Sequence, residues 1–285
     1  MAKLTAEGLK KKIKALKVGE RIRLLGLDED IYHAAEGVGS SLLKQAAHSL
    51  AHYKAALDKS IEEERTQAQK DRLAEGSATH CAVLQPEIFD DVFIVIPETI
   101  KRRAGKDWTA FKEANPDKVI LLRKSMDLVN NMSNSILDSV GHYFIDGEPE
   151  VSYFYRHETG IILKSRIDYE RGDALIDLKT CAADSPFKFM KVVKYDYDWQ
   201  DALYRKVTEK DEMLFVGVEL KAPNSVFLTK QGSDVRIRSE RRLNLILEQL
   251  AFAIEFQEFP AFPVELIETE LTSFEREQES TKEGK

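Results

Sequence analysis

Asp168, Asp177 and Lys179 have the residue types and spacing for phosphodiester chemistry. Asp168 falls in an apolar run, IILKSRIDY (161–169), and the other two lie in a second run, ALIDLKT (174–180). Side chains alternate across a strand, so Asp177 and Lys179 share one face while Leu178 takes the other. Glu170-Arg171-Gly172-Asp173 between the runs reads as a hairpin turn that carries Asp168 towards Asp177. Burying two carboxylates among Ile, Leu and Val is costly unless positive charge joins them. Lys179 supplies one charge and a divalent cation would supply the rest. Carboxylate oxygens suit Mg²⁺ or Mn²⁺, which polarise a phosphodiester and acidify water, while the ammonium orients or deprotonates the attacking water. With 32% charged residues in the chain, a solvated strand edge carrying a salt bridge would show the same pattern.

Three further features point to the same chemistry. Gln200 and Tyr204 stand at i and i+4, on one face of a helix just downstream. A glutamine there can bond a nucleotide or water and a tyrosine can contact phosphate; a core-edge pair is the bland alternative. His80 lies among small residues in GSATHCAVLQP, at the end of a helix expected over 66–84. A lone helical histidine is usually structural, yet an imidazole is also a ligand beside carboxylates. Lys101, Arg102, Arg103 and Lys106 gather positive charge, either as a solvated loop or as a phosphate contact.

The elements around these residues follow from periodicity. Helices are expected over 4–17, over 39–56 with a Ser40/Ser41 cap, and over 66–84 with Leu73, Ala74, Ala78, Cys81 and Leu84 on its apolar positions. Residues 57–70 read as charged and exposed, 92–96 as a short strand, 107–114 as a short helix and 121–142 as a longer one. Period two then takes over: 151–157, 161–169 and 174–180 read as three antiparallel strands. A helix holding Trp199, strands at 213–220 and 225–230, a helix over 233–257 and a frayed polar end over 271–285 complete the order. That order is α/β: one domain with a mixed sheet flanked by helices.

The 285 residues suffice for a substantial core, and no apolar run is long enough to span a membrane. The charged N-terminus lacks a secretory h-region, which suggests a cytoplasmic protein. Two cysteines, Cys81 and Cys181, are too few for a disulfide framework or a four-cysteine iron–sulfur cluster. A net charge of −7 argues against coating of nucleic acid by bulk electrostatics and leaves room for a local basic strip.

Taken together, His80, Asp168, Ile176-Asp177-Leu178-Lys179-Thr180 and Gln200-x3-Tyr204 resemble the PD-(D/E)XK nuclease superfamily. The Q-x3-Y element is similar to its RecB-like branch. SSLLK, EGSATHCAVLQPEIF and KRRAGKDWTAF resemble the RecE type within that branch, the nuclease of exodeoxyribonuclease VIII and phage relatives. The likeness runs from about residue 38 to 263; the nominal proline–aspartate pair reads Ile167-Asp168. It implies a PD-(D/E)XK fold with extra N-terminal helices: a helical extension at 1–37, a nuclease domain at 38–265 and a polar tail at 266–285. It implies that His80, Asp168, Asp177 and the Leu178 carbonyl bind Mg²⁺, with Mn²⁺ able to substitute and two ions per site. Lys179 would activate water, and Gln200 and Tyr204 would support the substrate. The implied activity is 5′→3′ digestion of linear duplex DNA in the host cytoplasm, leaving a 3′ strand for a RecT-like annealing protein. Relatives form ring-shaped oligomers, often tetramers. The rival readings are an endonuclease and a catalytically silent DNA-binding protein on the same fold. A serine hydrolase is disfavoured, because no G-x-S-x-G elbow occurs.

Overall fold

A computed structural model of the chain describes residues 4–58, 65–266 and 268–276. Residues 59–64 of the segment expected to be exposed, and 267 and 277–285 of the expected tail, lie outside them. The first helix, α1 (Ala6–Ala15), starts at Thr5, whose side chain accepts from the Gly8 N–H, and it buries Leu9 and Ile13. Next come β1 (Arg21–Leu24), α2 (Glu29–Ala34), α3 (Ser40–His48) and α4 (Leu50–Leu57). The single helix expected over 39–56 is therefore two. Ser49 takes extended backbone, and its hydroxyl caps α4 by accepting from the His52 N–H. Nor do the serines cap α3: Gly39 is its N-cap residue and makes no side-chain cap bond.

The helix α5 (Gln67–Leu84) opens on a reciprocal Thr66/Gln69 capping box. Its Ala78 is buried, but Leu73, read as apolar-face, is 51% exposed. Then follow α6 (Phe89–Val92), β2 (Phe93–Val95), α7 (Lys106–Ala114), β3 (Val119–Leu121) and α8 (Arg123–Val140). The strands β2 and β3 form a small parallel pair of their own. Last come β4 (Glu148–Arg156), β5 (Ile162–Arg171), β6 (Ala174–Cys181), α9 (Pro186–Tyr195), α10 (Asp198–Thr208), β7 (Glu212–Glu219), β8 (Val226–Thr229) and α11 (Ser233–Phe256).

One six-stranded sheet runs in the order β1-β4-β5-β6-β7-β8. It is antiparallel except between β6 and β7, which are parallel and joined through α9 and α10. The expected meander is thus present, and the chain is α/β with a mostly antiparallel sheet flanked by helices. Residues 1–37, read as a helical extension, also contribute β1, which pairs with β4 and widens the sheet. Its α1 packs Leu9 and Ile13 with Phe154 and Ile162.

Two apolar layers enclose the sheet. One holds Leu43, Phe189, Leu203, Leu243 and Leu247 with Ile167, Leu175 and Phe215. The other packs Val83, Met132 and Ile136 of α5 and α8 on Ile176, Leu178 and Val216. Both cysteines are free. Among the described residues no helix is long and apolar enough to cross a membrane.

Candidate active site

The site lies where three strands lose their pairing at one level. Tyr169, Glu170 and Arg171 of β5 pair with Ile176, Leu175 and Ala174 of β6. Continued by one step, that register would set Asp168 opposite Asp177, but the ladder ends at Tyr169. The Leu178 N–H donates instead to Asp168 Oδ2 at 2.8 Å. On the other flank Pro149 and Val151 pair with Tyr169 and Ile167, so Glu150 of β4 faces Asp168. Glu150 has φ +54°, a left-handed conformation that a glutamate adopts only when its surroundings hold it. Arg166 provides part of that hold: its Nε donates to Glu150 Oε2, and its Nη1 donates to the Leu27 carbonyl. Beyond the irregularity β5 changes face. Ile167 joins the α10 layer and Tyr169 the α8 layer, although i and i+2 share a face in a regular strand.

His80 reaches this split from α5. A Cβ at Gly76, one turn earlier, would lie 3.3 Å from Thr180 Oγ1, so the missing side chain is what lets α5 sit so close to β6. The His80 Nδ1 is then 3.6 Å from Asp168 Oδ2. His80, Glu150 and Asp168 each offer a ligand atom within 4.8 Å of the others. Burial, and then the Lys179 charge, hold the imidazole below its ordinary pKa, which favours the neutral form that binds metals.

Asp177 is 1% exposed and is gripped from behind. Its Oδ1 accepts from Gln200 Nε2, and Gln200 also bonds the buried Tyr204. Lys179 Nζ forms an ion pair with Oδ2 at 2.6 Å. Burial pushes the carboxyls of Asp168 and Asp177 up to about 6, against the pull of Lys179. Burial alone would lower the Lys179 pKa, but the two aspartates outweigh it and raise it. Among the described residues, Glu150, Asp168 and Asp177 are thus answered by Lys179, which lies against Asp177, and by Arg166, which is tied to Glu150. This charge deficit and the neutral His80 imidazole fit a divalent cation.

Residues 39–260 match the family described as a PDDEXK-like domain of unknown function (DUF3799). The chain belongs to this family. Its fold is similar to the crystal structure of a putative exonuclease from Eubacterium rectale, at 16% identity and a TM-score of 0.54. That match covers 89% of this chain and 94% of the other. No curated protein matches the chain.

The PDDEXK-like domain brings together most of the residues that its sequence singles out. His80, Asp168, Asp177, Lys179, Gln200 and Tyr204 converge, as does the Leu178 backbone, which bonds both His80 and Asp168. Gln200 and Tyr204 are only 8% and 9% exposed, so they brace Asp177 rather than reach outwards. The basic cluster stays apart. Arg103 is bound to Asp71 at 2.7 Å, nine residues before His80 on α5, roughly 13 Å along the axis. Lys101, Arg102 and Lys106 are exposed. Glu150 is the residue that sequence reasoning missed. Counting back from the Glu158-Thr159-Gly160 turn would have set it opposite Asp168, but the strand expectation began one residue later.

Proposed function

We propose that this domain is a Mg²⁺-dependent exonuclease that digests linear duplex DNA 5′→3′ and leaves 3′ single strands for strand annealing. One observation carries the reading: Glu150, Asp168, Asp177 and His80 converge at a break in the sheet beside Lys179. Membership of a PDDEXK-like family and the similar fold of a protein described as a putative exonuclease support it. His80, Glu150, Asp168 and Asp177 would hold the metal, with the Leu178 carbonyl; two ions per site is the proposed number, and Mn²⁺ would substitute. A bound divalent cation supplies Lewis-acid stabilisation of charge on the phosphodiester.

The protein's own groups do the rest. Lys179 keeps its proton between the two aspartates, so it orients the attacking water and neutralises charge developing on phosphorus oxygens. Gln200, backed by Tyr204, fixes one oxygen of the Asp177 carboxylate, and Lys179 lies against the other. The same reading, by likeness to the RecE type, places the enzyme in the cytoplasm as a homo-oligomeric ring, a tetramer in its simplest form, working with a RecT-like partner.

The test incubates purified protein and Mg²⁺ with end-labelled linear or closed circular duplex. Degradation of the linear form alone, its loss in EDTA and a preference for a 5′-phosphate end are the expected results. Cutting of closed circles would replace exonuclease with endonuclease. Full activity of Lys179→Ala would sink the mechanism.

A further inference from the structure

The helix α9 leaves the strand that carries Lys179, and its two faces differ. Phe189 and Val193, one turn apart, are buried. The opposite face shows Phe187, Met190, Lys191, Lys194 and Tyr195, at helical intervals of about three, four, seven and eight. Phe187 and Tyr195 are 61% and 60% exposed. Lys191 Nζ stands 4.6 Å from the centre of the Phe187 ring, and Lys194 Nζ stands 5.1 Å from that of Tyr195. The helix sequence PFKFMKVVKY contains no acid, in a chain whose net charge is −7.

Neighbouring groups extend the pattern. From α11, Arg238 lies 5.9 Å from the Tyr195 ring and Arg242 lies 4.5 Å from that of Trp199. Both guanidinium groups share the one carboxylate of Asp198, so the pair keeps positive charge. Tyr197, two residues past Tyr195, has its ring 5.2 Å from Lys179 Nζ and 5.5 Å from Lys44 Nζ. Trp199 is buried beneath this surface and Tyr197, half-buried and stacked on Phe215, lies beside the candidate active site.

We infer that this face of α9 is a stacking platform for a single-stranded nucleic-acid segment next to the site. The inference rests on the nuclease reading for its biological setting and on the surface itself for its chemistry. Bases offer π faces to Phe187 and Tyr195, while phosphates need the lysines between them. The two rings are separated by eight residues, about 12 Å along the helix, room for separate bases. A protein-docking face would share the aromatics but is ordinarily depleted in lysine. Charge complementarity thus favours the nucleic acid.

Binding is measured on the full chain in EDTA with a labelled oligothymidylate, so that cleavage does not enter. The Phe187→Ala/Tyr195→Ala protein should bind about 30-fold more weakly, a loss of one stacking contact per ring. Replacing the lysines, as Lys191→Gln/Lys194→Gln, should flatten the dependence of log affinity on log salt by about 1.4, roughly 0.7 for each charge. Phe187, Lys191 and Tyr195 are exposed and Lys194 is half-buried, so both proteins should melt close to the parent. A ring variant that binds like the parent, or a lysine variant with an unaltered salt slope, overturns the platform. Failure of the nuclease reading shows separately: the unmodified chain would then leave linear duplex intact in Mg²⁺ while still binding the oligothymidylate through its rings.

Discussion

Glu170 and Asp168 lie two residues apart on β5, and both lose most of their water on folding, yet their surroundings differ in sign. Glu170 accepts from the Tyr153 hydroxyl at 2.7 Å, and Lys210 and Arg23 approach it at 3.0 Å and 3.3 Å. Burial alone would raise its pKa, but these partners outweigh burial and hold it below the usual glutamate range. Asp168 has one backbone N–H and faces Glu150 and Asp177, with Lys179 shared between the aspartates. Burial, with Glu150 adding to it, outweighs Lys179 and pushes its pKa the other way, up to about 6. The Glu170 cluster is complete as it stands. The Asp168 cluster is short of positive charge, a deficit that a bound cation would offset.

The contrast is broken most directly at Lys179. Lys179→Ala removes the one ammonium of the site, and the duplex cleavage rate should fall about 10³-fold, within the range for losing a positioned charge or proton-handling group. Single-turnover rates in saturating Mg²⁺ measure it, and a loss under tenfold would contradict the assignment. Metal itself comes next. Mg²⁺ at a hundred times its dissociation constant should stabilise the parent by about 2.7 kcal/mol. The Glu170 cluster predicts no such response, so Glu170→Gln should keep the full Mg²⁺ shift while Asp168→Asn loses most of it. Thermal melts with and without EDTA separate the two.

Third in size is the cost of breaking the balanced cluster. Glu170→Gln leaves Arg23 and Lys210 facing a neutral amide and should destabilise by roughly 2 kcal/mol. That is below the ~3–5 kcal/mol for losing a partner from a fully buried pair, because the Arg23 side chain is 36% exposed and finds water. Urea midpoints at neutral pH give the value.

How far each region could be read from the sequence follows from the range of the contacts involved. Asp168, Asp177 and Lys179 were legible because a short turn joins their strands and alternation fixes the faces. His80 was legible as a candidate, but its arrival depends on the close approach at Gly76, which is a tertiary fact. Glu150 was missed because its place depends on a left-handed residue at a break in the ladder, which local propensity does not encode. The strand β1 was missed because RIRL is short and charged, as edge strands often are. The break at Ser49 was hidden because apolar spacing continues through it, while the hydroxyl cap decides the backbone. Of the basic cluster, Arg103 was read for its charge alone, and its partner Asp71 lies 32 residues away.

The smallest expected effect separates the two regions most sharply, because its sign changes with mutation and its size with pH. At pH 7 Asp168 is ionised in both folded and unfolded chains, and its raised folded pKa means that this ionisation opposes folding. Asp168→Asn removes the opposition and should make the EDTA-treated protein more stable, by about 1 kcal/mol or roughly 2 °C, while abolishing cleavage. As pH falls through 6 towards the ordinary value of 3.8, the folded parent binds the proton before the unfolded chain does. The parent thereby gains what the amide had, and the advantage of Asp168→Asn should vanish over that window. Glu170 behaves in the opposite sense. Its folded pKa lies below the ordinary 4.5, so its contribution persists down to that pH and fades only below it. The deficit of Glu170→Gln should therefore hold constant from pH 7 to 5, where the advantage of Asp168→Asn is already shrinking. Parallel pH profiles for the two variants would mean that the carboxyls share one environment, and the case for a cation site at Asp168 would lose its electrostatic basis.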